Sequence, residues 1–285
     1  MTLYKYLAPD RIDVLENLNI RFTQPLYLND PYETNPVITG YETSDEQWEK
    51  ICKIECERNG LNYEDHKHLN DQKLRDELFP GALQLMKVFF HHSTGILSLS
   101  ETFDNALMWA HYCLNHKGYV IEFNSDHSFF KSNNKDYVIE NVSQVIYKNN
   151  RPNVTLEKLS MKDLYFTKST EWSYEKEWRI LKSIQKSDVK IDNGIISLFK
   201  LPAEIVKGIY LGAACSEELE IRILNAIKKN KLECKLNKMV LNPSNYNIDM
   251  VTITEWNDLK KQISKESNLL RAMNDIREYL YTPPI

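Results

Sequence analysis

Residues 95–123 read GILSLSETFDNALMWAHYCLNHKGYVIEF, and this stretch decides the fold. Apolar and small residues alternate over 96–100, which is the period of a strand. The spacing turns helical from about Asp104 to Asn115, Lys117-Gly118 makes a turn, and YVIEF at 119–123 is a second strand. Upstream, TLYKYL (2–7) predicts a strand, 10–18 a short helix, and IRFTQPLYL (20–28) a strand cut at Pro25, followed by a turn at NDPYE (29–33). Ser44 and Gln47 form a capping-box pattern, and Trp48, Ile51, Cys52 and Cys56 carry a helix to Gly60; residues 73–90 are helical as well.

Downstream, strands are expected at VSQVIY (142–147), EKEWRILKSI (175–184) and EIVKGIYLG (204–212), with a hairpin at VKIDNGIISLF (189–199) turning on Asn193-Gly194. Ser216 caps a helix running to about Lys229, with Glu217 and Glu218 near its positive end. From Thr254 onward Trp256, Leu259, Ile263, Leu270, Met273, Ile276 and Leu280 fall at helical spacing, an amphipathic helix ending before Pro283. Together these elements read as an α+β chain. No repeat or low-complexity linker breaks it, so the expectation is a single domain over 1–285, with a helical insertion at about 44–92 and a second insertion at about 124–170.

The 285 residues, 42% hydrophobic and 27% charged, are those of a globular protein, and a net charge of -4 argues against a protein whose main role is to coat a polyanion, although it leaves room for a local basic groove. The opening MTLYKYLAPD has no apolar run of signal-peptide length and no stretch reaches membrane-span length, so a cytoplasmic protein without membrane contact is expected. Five scattered cysteines read as reduced thiols, with Cys113 a buried structural thiol rather than a nucleophile. His66 and His68, His91 and His92, and Cys52 and Cys56 lack partners at zinc-site spacing, so no metal is expected. Phosphate loops, dinucleotide-binding glycine patterns and the Gly-x-Ser-x-Gly elbow are missing too.

What remains is Glu175-Lys176-Glu177. On a strand, residues two apart share a face, so the two carboxylates would stand side by side; Ser98 and Ser100 place two hydroxyls on one face of another strand. Taken alone, each pair reads as a solvated strand face or a turn.

The order of motifs resembles the mono-ADP-ribosyltransferases: an N-terminal strand with aromatic and basic residues (Leu3-Tyr4-Lys5-Tyr6), then Ser-x-Ser leading into a helix and strand, then Glu-x-Glu in EKEWRIL. The resemblance implies a split β-sheet core with flanking helices and NAD as substrate without a metal. It implies that Glu177 binds the 2′-hydroxyl of the nicotinamide ribose, that Glu175 assists the acceptor and that Ser98 steadies the catalytic carboxylate. Tyr4, Lys5, Tyr6, Arg21, Ser98 and Ser100 would hold NAD, a tyrosine packing on the nicotinamide and Arg21 substituting for the Arg or His that this family offers where the chain has Lys5. It further implies a macromolecular acceptor, protein or nucleic acid, a toxin or phage-defence role and an inhibitory antitoxin-like partner. The chain also resembles a large bacterial family of unknown function, through LYKY, an NDPYE-like segment, MWAHY, GYVIEF and YEKEWR, which singles out Asn29, Asp30, Glu33, Trp109, His111, Tyr112, Glu122, Lys168 and Trp172. Read as structure, Trp109 and Trp172 are core, Asp30 forms a turn, and Lys168 is solvated or ion-paired. The rival reading is a non-catalytic binding or regulatory protein in which Glu175, Glu177 and Arg179 form an ion network; a phosphodiester-cleaving enzyme is less favoured, because no acidic cluster has metal-ligand spacing.

Overall fold

The computed structural model describes residues 1–131 and 141–265. TLYKYL forms β1 (Thr2–Leu7), and the helix expected over 10–18 is divided into a 3-10 turn and α1 (Asp13–Asn17), which ends at a left-handed Leu18. β2 (Asn19–Phe22) stops short of the expected 20–28 because a 3-10 turn begins at Pro25, whose nitrogen cannot donate to a ladder. After β3 (Val37–Ile38), α2 (Asp45–Arg58) starts on a complete capping box, Ser44 Oγ accepting from Gln47 N–H and Gln47 Oε1 from Ser44 N–H. α3 (Gln72–Ser93) completes the helical stretch expected at 44–92.

β4 (Thr94–Ser100), α4 (Ala106–Tyr112) and β5 (Tyr119–Asn124) match the reading of 95–123, except that α4 is shorter. Asn105 caps it, and left-handed Leu114, Asn115 and His116 unwind the chain before Gly118. Short β6 (Ser143–Gln144), β7 (Ile146–Lys148) and β8 (Asn153–Val154) precede α5 (Met161–Tyr165) and β9 (Thr167–Ser169). Then follow β10 (Glu177–Ser183), the β11 (Val189–Ile191) and β12 (Ile196–Lys200) hairpin reversed at left-handed Asp192 and Asn193, and β13 (Val206–Leu211). The described chain closes with α6 (Glu217–Asn230), capped by Ser216 as expected, β14 (Lys235–Leu241), β15 (Ile248–Thr252) and α7 (Ile253–Lys265). Of the C-terminal stripe, Leu270, Met273, Ile276 and Leu280 lie outside the described residues.

Eight strands form one sheet in the order β15-β14-β13-β5-β1-β4-β10-β6. Its pairs are antiparallel except β13 with β14, which α6 connects, so the chain has the α+β architecture expected of it. One face packs Leu3, Ile121, Ile209 and Leu211 against Leu219 and Ile223 of α6; the other carries Tyr6, Trp109, Val120, Tyr210 and Met239. β1 pairs with β5 over its whole length, from Thr2↔Asn124 to Leu7↔Tyr119, and β4 pairs with β10 from Thr94↔Ser183 to Ser100↔Glu177. Between these halves the register holds at Tyr4↔Ser100 alone. The sheet opens at β1 and β4, and the site lies in that opening.

At the far end of β1 the backbone segments crowd. A Cβ at Gly118 would lie 2.0 Å from Leu7 O and one at Gly212 would lie 2.1 Å from His116 O, whereas one at Gly81 in α3 meets open space. Gly118→Ala and Gly212→Ala should therefore each destabilise the fold by about 2 kcal/mol or more, as overpacking does. Gly81→Ala should instead stabilise it by about 0.5–1 kcal/mol by restricting the unfolded chain. Urea midpoints of the three variants check the signs.

Candidate functional site

The expected alternation of Glu175 and Glu177 on one strand is not how the chain brings them together. Thr170–Glu175 is a 3-10 helix, started by Ser169 Oγ accepting from Glu171 N–H, and Lys176 follows in the left-handed region at φ 43° and ψ 53°. β10 therefore begins at Glu177, two residues later than the expected strand. The carboxylates meet because both turn onto Lys168 at the start of the same segment.

Lys168 Nζ lies 2.6 Å from Glu175 Oε2, 3.2 Å from Glu177 Oε2 and 2.7 Å from Glu33 Oε1. Arg179 completes the cluster: its Nε donates to Glu177 Oε1 at 2.7 Å and its Nη2 to Glu177 Oε2 at 2.9 Å, while Nη2 also lies 3.0 Å from Glu33 Oε2. Its Nη1 donates to Tyr165 O at 2.8 Å. All five side chains are buried. Around them, Tyr112 donates its hydroxyl hydrogen to Glu175 Oε1 and accepts from Asn29 Nδ2 at 3.1 Å. The backbone N–H of Glu177 donates to Tyr147 OH at 2.8 Å, and the nearby Ser98 side chain helps to lower the Glu177 pKa.

Of these groups, Asn29, Glu33, Ser98, Tyr112, Lys168, Glu175 and Glu177 line a cavity of about 240 Å³ in the opening between β1 and β4. Tyr4, Lys5 and Tyr6 form one wall, Ser98 and Ser100 another, and Glu33, Lys168, Glu175 and Glu177 the polar end. Lys5 Nζ donates to Ser98 O at 2.9 Å, and Ser100 Oγ to Glu175 O at 2.6 Å.

Burial raises a carboxyl pKa, and the two glutamates answer it differently. At Glu177 burial is outweighed by the Arg179 guanidinium and the Lys168 ammonium, which hold the group at about 2. At Glu175 burial prevails over Lys168, helped by the Glu177 charge, and the pKa rises. Lys5 is pushed down to about 8 by burial, against the pull of Glu177. Two neighbouring carboxyls with opposite shifts are suited to different tasks, one a fixed anion and the other a proton carrier.

The expected residues thus meet in large part. Glu175, Glu177, Ser98, Ser100, Tyr4, Lys5 and Tyr6 all line the cavity. Both tyrosines are also packed, Tyr4 with its ring centroid 5.3 Å from Phe103, and Tyr6 against Trp109 at 5.5 Å with its hydroxyl donating to Thr102 O at 2.9 Å. Arg21 is not in the cavity wall; its guanidinium sits 5.8 Å from the Tyr27 ring centroid. Lys168 is ion-paired and not solvated, at 5% exposure. Trp109 is core and Asp30 forms a turn by accepting from Tyr32 N–H at 2.9 Å, but Trp172 is half-buried, its ring centroid 4.7 Å from Lys168 Nζ. Cys113 is a core thiol, its pKa pushed up by burial.

Removing one partner from a buried cluster strands the others, so Lys168→Met should cost about 3–5 kcal/mol in urea unfolding. The pH profile carries opposite signs. Glu177, lowered from 4.5 to about 2, contributes stability that is complete above pH 4.5 and lost as pH falls through 2, about 3 kcal/mol in all. Glu175, raised, contributes stability that is present below pH 4.5 and lost as pH rises through its folded value. Glu175→Gln should accordingly gain on wild type as pH rises from 4.5 to 7; parallel midpoint profiles would contradict the assignment.

A family model described as a protein of unknown function (DUF2971) matches residues 108–180. The matched stretch contains MWAHY and YEKEWR, and with them Tyr112, Lys168, Glu175, Glu177 and Arg179, while Glu33 and the LYKY and NDPYE segments lie outside it. No curated protein and no solved structure matches the chain. Over the residues that supply most of the ion cluster, the chain is therefore similar to a family whose function is unknown.

Proposed function

We propose that the chain is an NAD-dependent mono-ADP-ribosyltransferase acting on a macromolecular acceptor. The observation that carries this reading is that Ser98, Glu175 and Glu177 line one cavity at the opening of the sheet, together with Tyr4, Lys5 and Tyr6 of β1. Together with the motif order, this is the arrangement that the transferase resemblance implies, and as fold-level analogy it raises the prior for that chemistry. The cavity is of a size for the nicotinamide and its ribose, with Tyr4 at the aromatic wall.

In this reading the bond between the nicotinamide nitrogen and C1′ breaks, the electron pair leaves with the nicotinamide, and positive charge builds on the ribose. Glu177, anionic at any physiological pH, accepts from the 2′-hydroxyl and opposes that charge. The acceptor's nucleophile bonds to C1′ and its proton passes to Glu175, whose raised pKa makes its anion the stronger base. Ser98 fixes the orientation of Glu177. By the same resemblance the protein works in the cytoplasm as a toxin or phage-defence effector restrained by an inhibitory partner.

A second reading is favoured by one specific observation. Both Glu177 oxygens are already engaged, Oε1 with Arg179 and Oε2 with Arg179 and Lys168, as in a purely architectural ion cluster on a binding protein. NAD titration by calorimetry separates the two.

Glu177→Gln keeps the size of the side chain and removes its charge, so nicotinamide release should fall by a factor on the order of a hundred or more in a chain that circular dichroism shows still folded, with a lower urea midpoint because Arg179 and Lys168 lose a partner. Glu175→Gln should lower transfer to acceptor more than release of nicotinamide to water, because hydrolysis needs no acceptor contact. Radiolabelled NAD with cell lysate, followed by protease or nuclease digestion, measures both. Undiminished transfer by the Glu177 variant would remove the enzymatic reading.

A further inference from the structure

Lys168 and Glu33 are shared between two cavities. Beyond the first lies a second, also of about 240 Å³, walled by Tyr32, Lys148, Asn149, Asn150, Arg151 and Ser169 as well as by that ion pair. Of its two acids, Glu33 is committed to Lys168 and Arg179, and Asp30 engages Oδ1 with the Tyr32 N–H. Most of the other groups with capacity left are donors. Ser169 Oγ only accepts, from Glu171 N–H, so its proton is available; Asn149 Oδ1 accepts from Thr170, which leaves its amide protons. Arg151 places Nε and Nη2 on Asn35 O, with Nη1 still open, and Lys148 has only a long pair with Asp163 at 3.7 Å. The ligand such a wall recognises is an anion. At the rim stands Tyr32, 64% exposed, with the Arg151 guanidinium 5.8 Å from its ring centroid. An exposed ring beside cationic and amide groups with donors to spare is the combination that stacks a base and grips its phosphate.

From this juxtaposition we infer that the second cavity binds the base and phosphate of one nucleotide of a single-stranded nucleic acid. The inference rests on the transferase reading for its purpose, because the strand would then be the acceptor, delivered to the far side of the wall that holds Glu175 and Glu177. A chain with net charge -4 can still do this, since Lys148, Arg151, Lys158 and Lys162 fall within 148–163 against Glu157 and Asp163.

The test is binding, without NAD, of fluorescent ten-residue oligo-dT and oligo-U strands to the full chain, followed by anisotropy at two salt concentrations. Saturable binding that weakens with salt, and that falls about tenfold with Tyr32→Ala and severalfold with Lys148→Gln, is expected; Tyr32→Phe should restore most of the loss. Neither side chain is part of the first cavity. Absence of saturable binding, or affinity indifferent to both Tyr32→Ala and Lys148→Gln, overturns the inference. So does weakened NAD binding in Lys148→Gln with oligonucleotide binding intact, which would give the cavity to the adenylate half of NAD. Because the strand is titrated without NAD, a negative result here leaves nicotinamide release free to succeed or fail on its own.

Discussion

A lysine ammonium enclosed by three carboxylates is the interaction on which this architecture turns. Desolvating any one of the charges costs several kcal/mol, and the cluster is tolerable only because each carboxylate lies within 2.6–3.2 Å of Lys168 and two of them also reach Arg179. Its members come from the turn after β2, from β9, from the end of a 3-10 helix and from β10. No local propensity holds these segments in register. The cluster does, and because an unpaired buried charge is so costly, every alternative packing that strands one member is disfavoured. Its contribution is therefore to specify one arrangement more than to add net stability.

The opening in the sheet has an equally local cause. A strand carbonyl must find a donor, and β4 changes partners along its length. Near its end Ser100 lies opposite Tyr4 of β1, but Ile96 exchanges both of its backbone hydrogen bonds with Thr23, at 2.8 Å each way. Between them Ser98 O accepts from the Lys5 side chain instead of a backbone N–H. A side-chain donor spans more distance than an amide, so β1 and β4 diverge without leaving that carbonyl unpaired. The gap thus calls for a long, flexible cation at position 5.

Much of this was legible in the sequence. The period-two runs at 2–7, 96–100 and 119–123, the Ser44–Gln47 box and the Asn193-Gly194 hairpin are local signals, and each appears where expected. Glu175, Glu177 and Ser98 could be singled out as a set because motif order survives without contacts. The sequence pattern runs a strand through Lys176, whereas the structure breaks it there, because the left-handed backbone of a non-glycine residue gives no warning in its side chain. Glu33 and Lys168 were noticed only as motif residues, because nothing in NDPYE or in the neighbourhood of Lys168 announces that they meet. Arg21 shows the converse, a cation chosen for its charge that the fold takes to another place.

The remaining question for the site is electrical. With Glu175 ionised, Glu33, Glu175 and Glu177 against Lys168 and Arg179 leave one negative charge, which Lys5 balances while it is protonated. Burial has brought Lys5 to about 8, so its proton is held chiefly by the field of Glu177. Under the proposed function, the pyridinium cation of NAD would place a second positive charge in that field, and at short distance the repulsion would be large. The ligand and the Lys5 proton therefore compete for one excess negative charge. In the proposed reaction the leaving nicotinamide becomes neutral as charge moves onto the ribose, nearer to Glu177, so the carboxylate that Arg179 and Lys168 keep ionised faces its strongest partner at the transition state and not in the resting cavity.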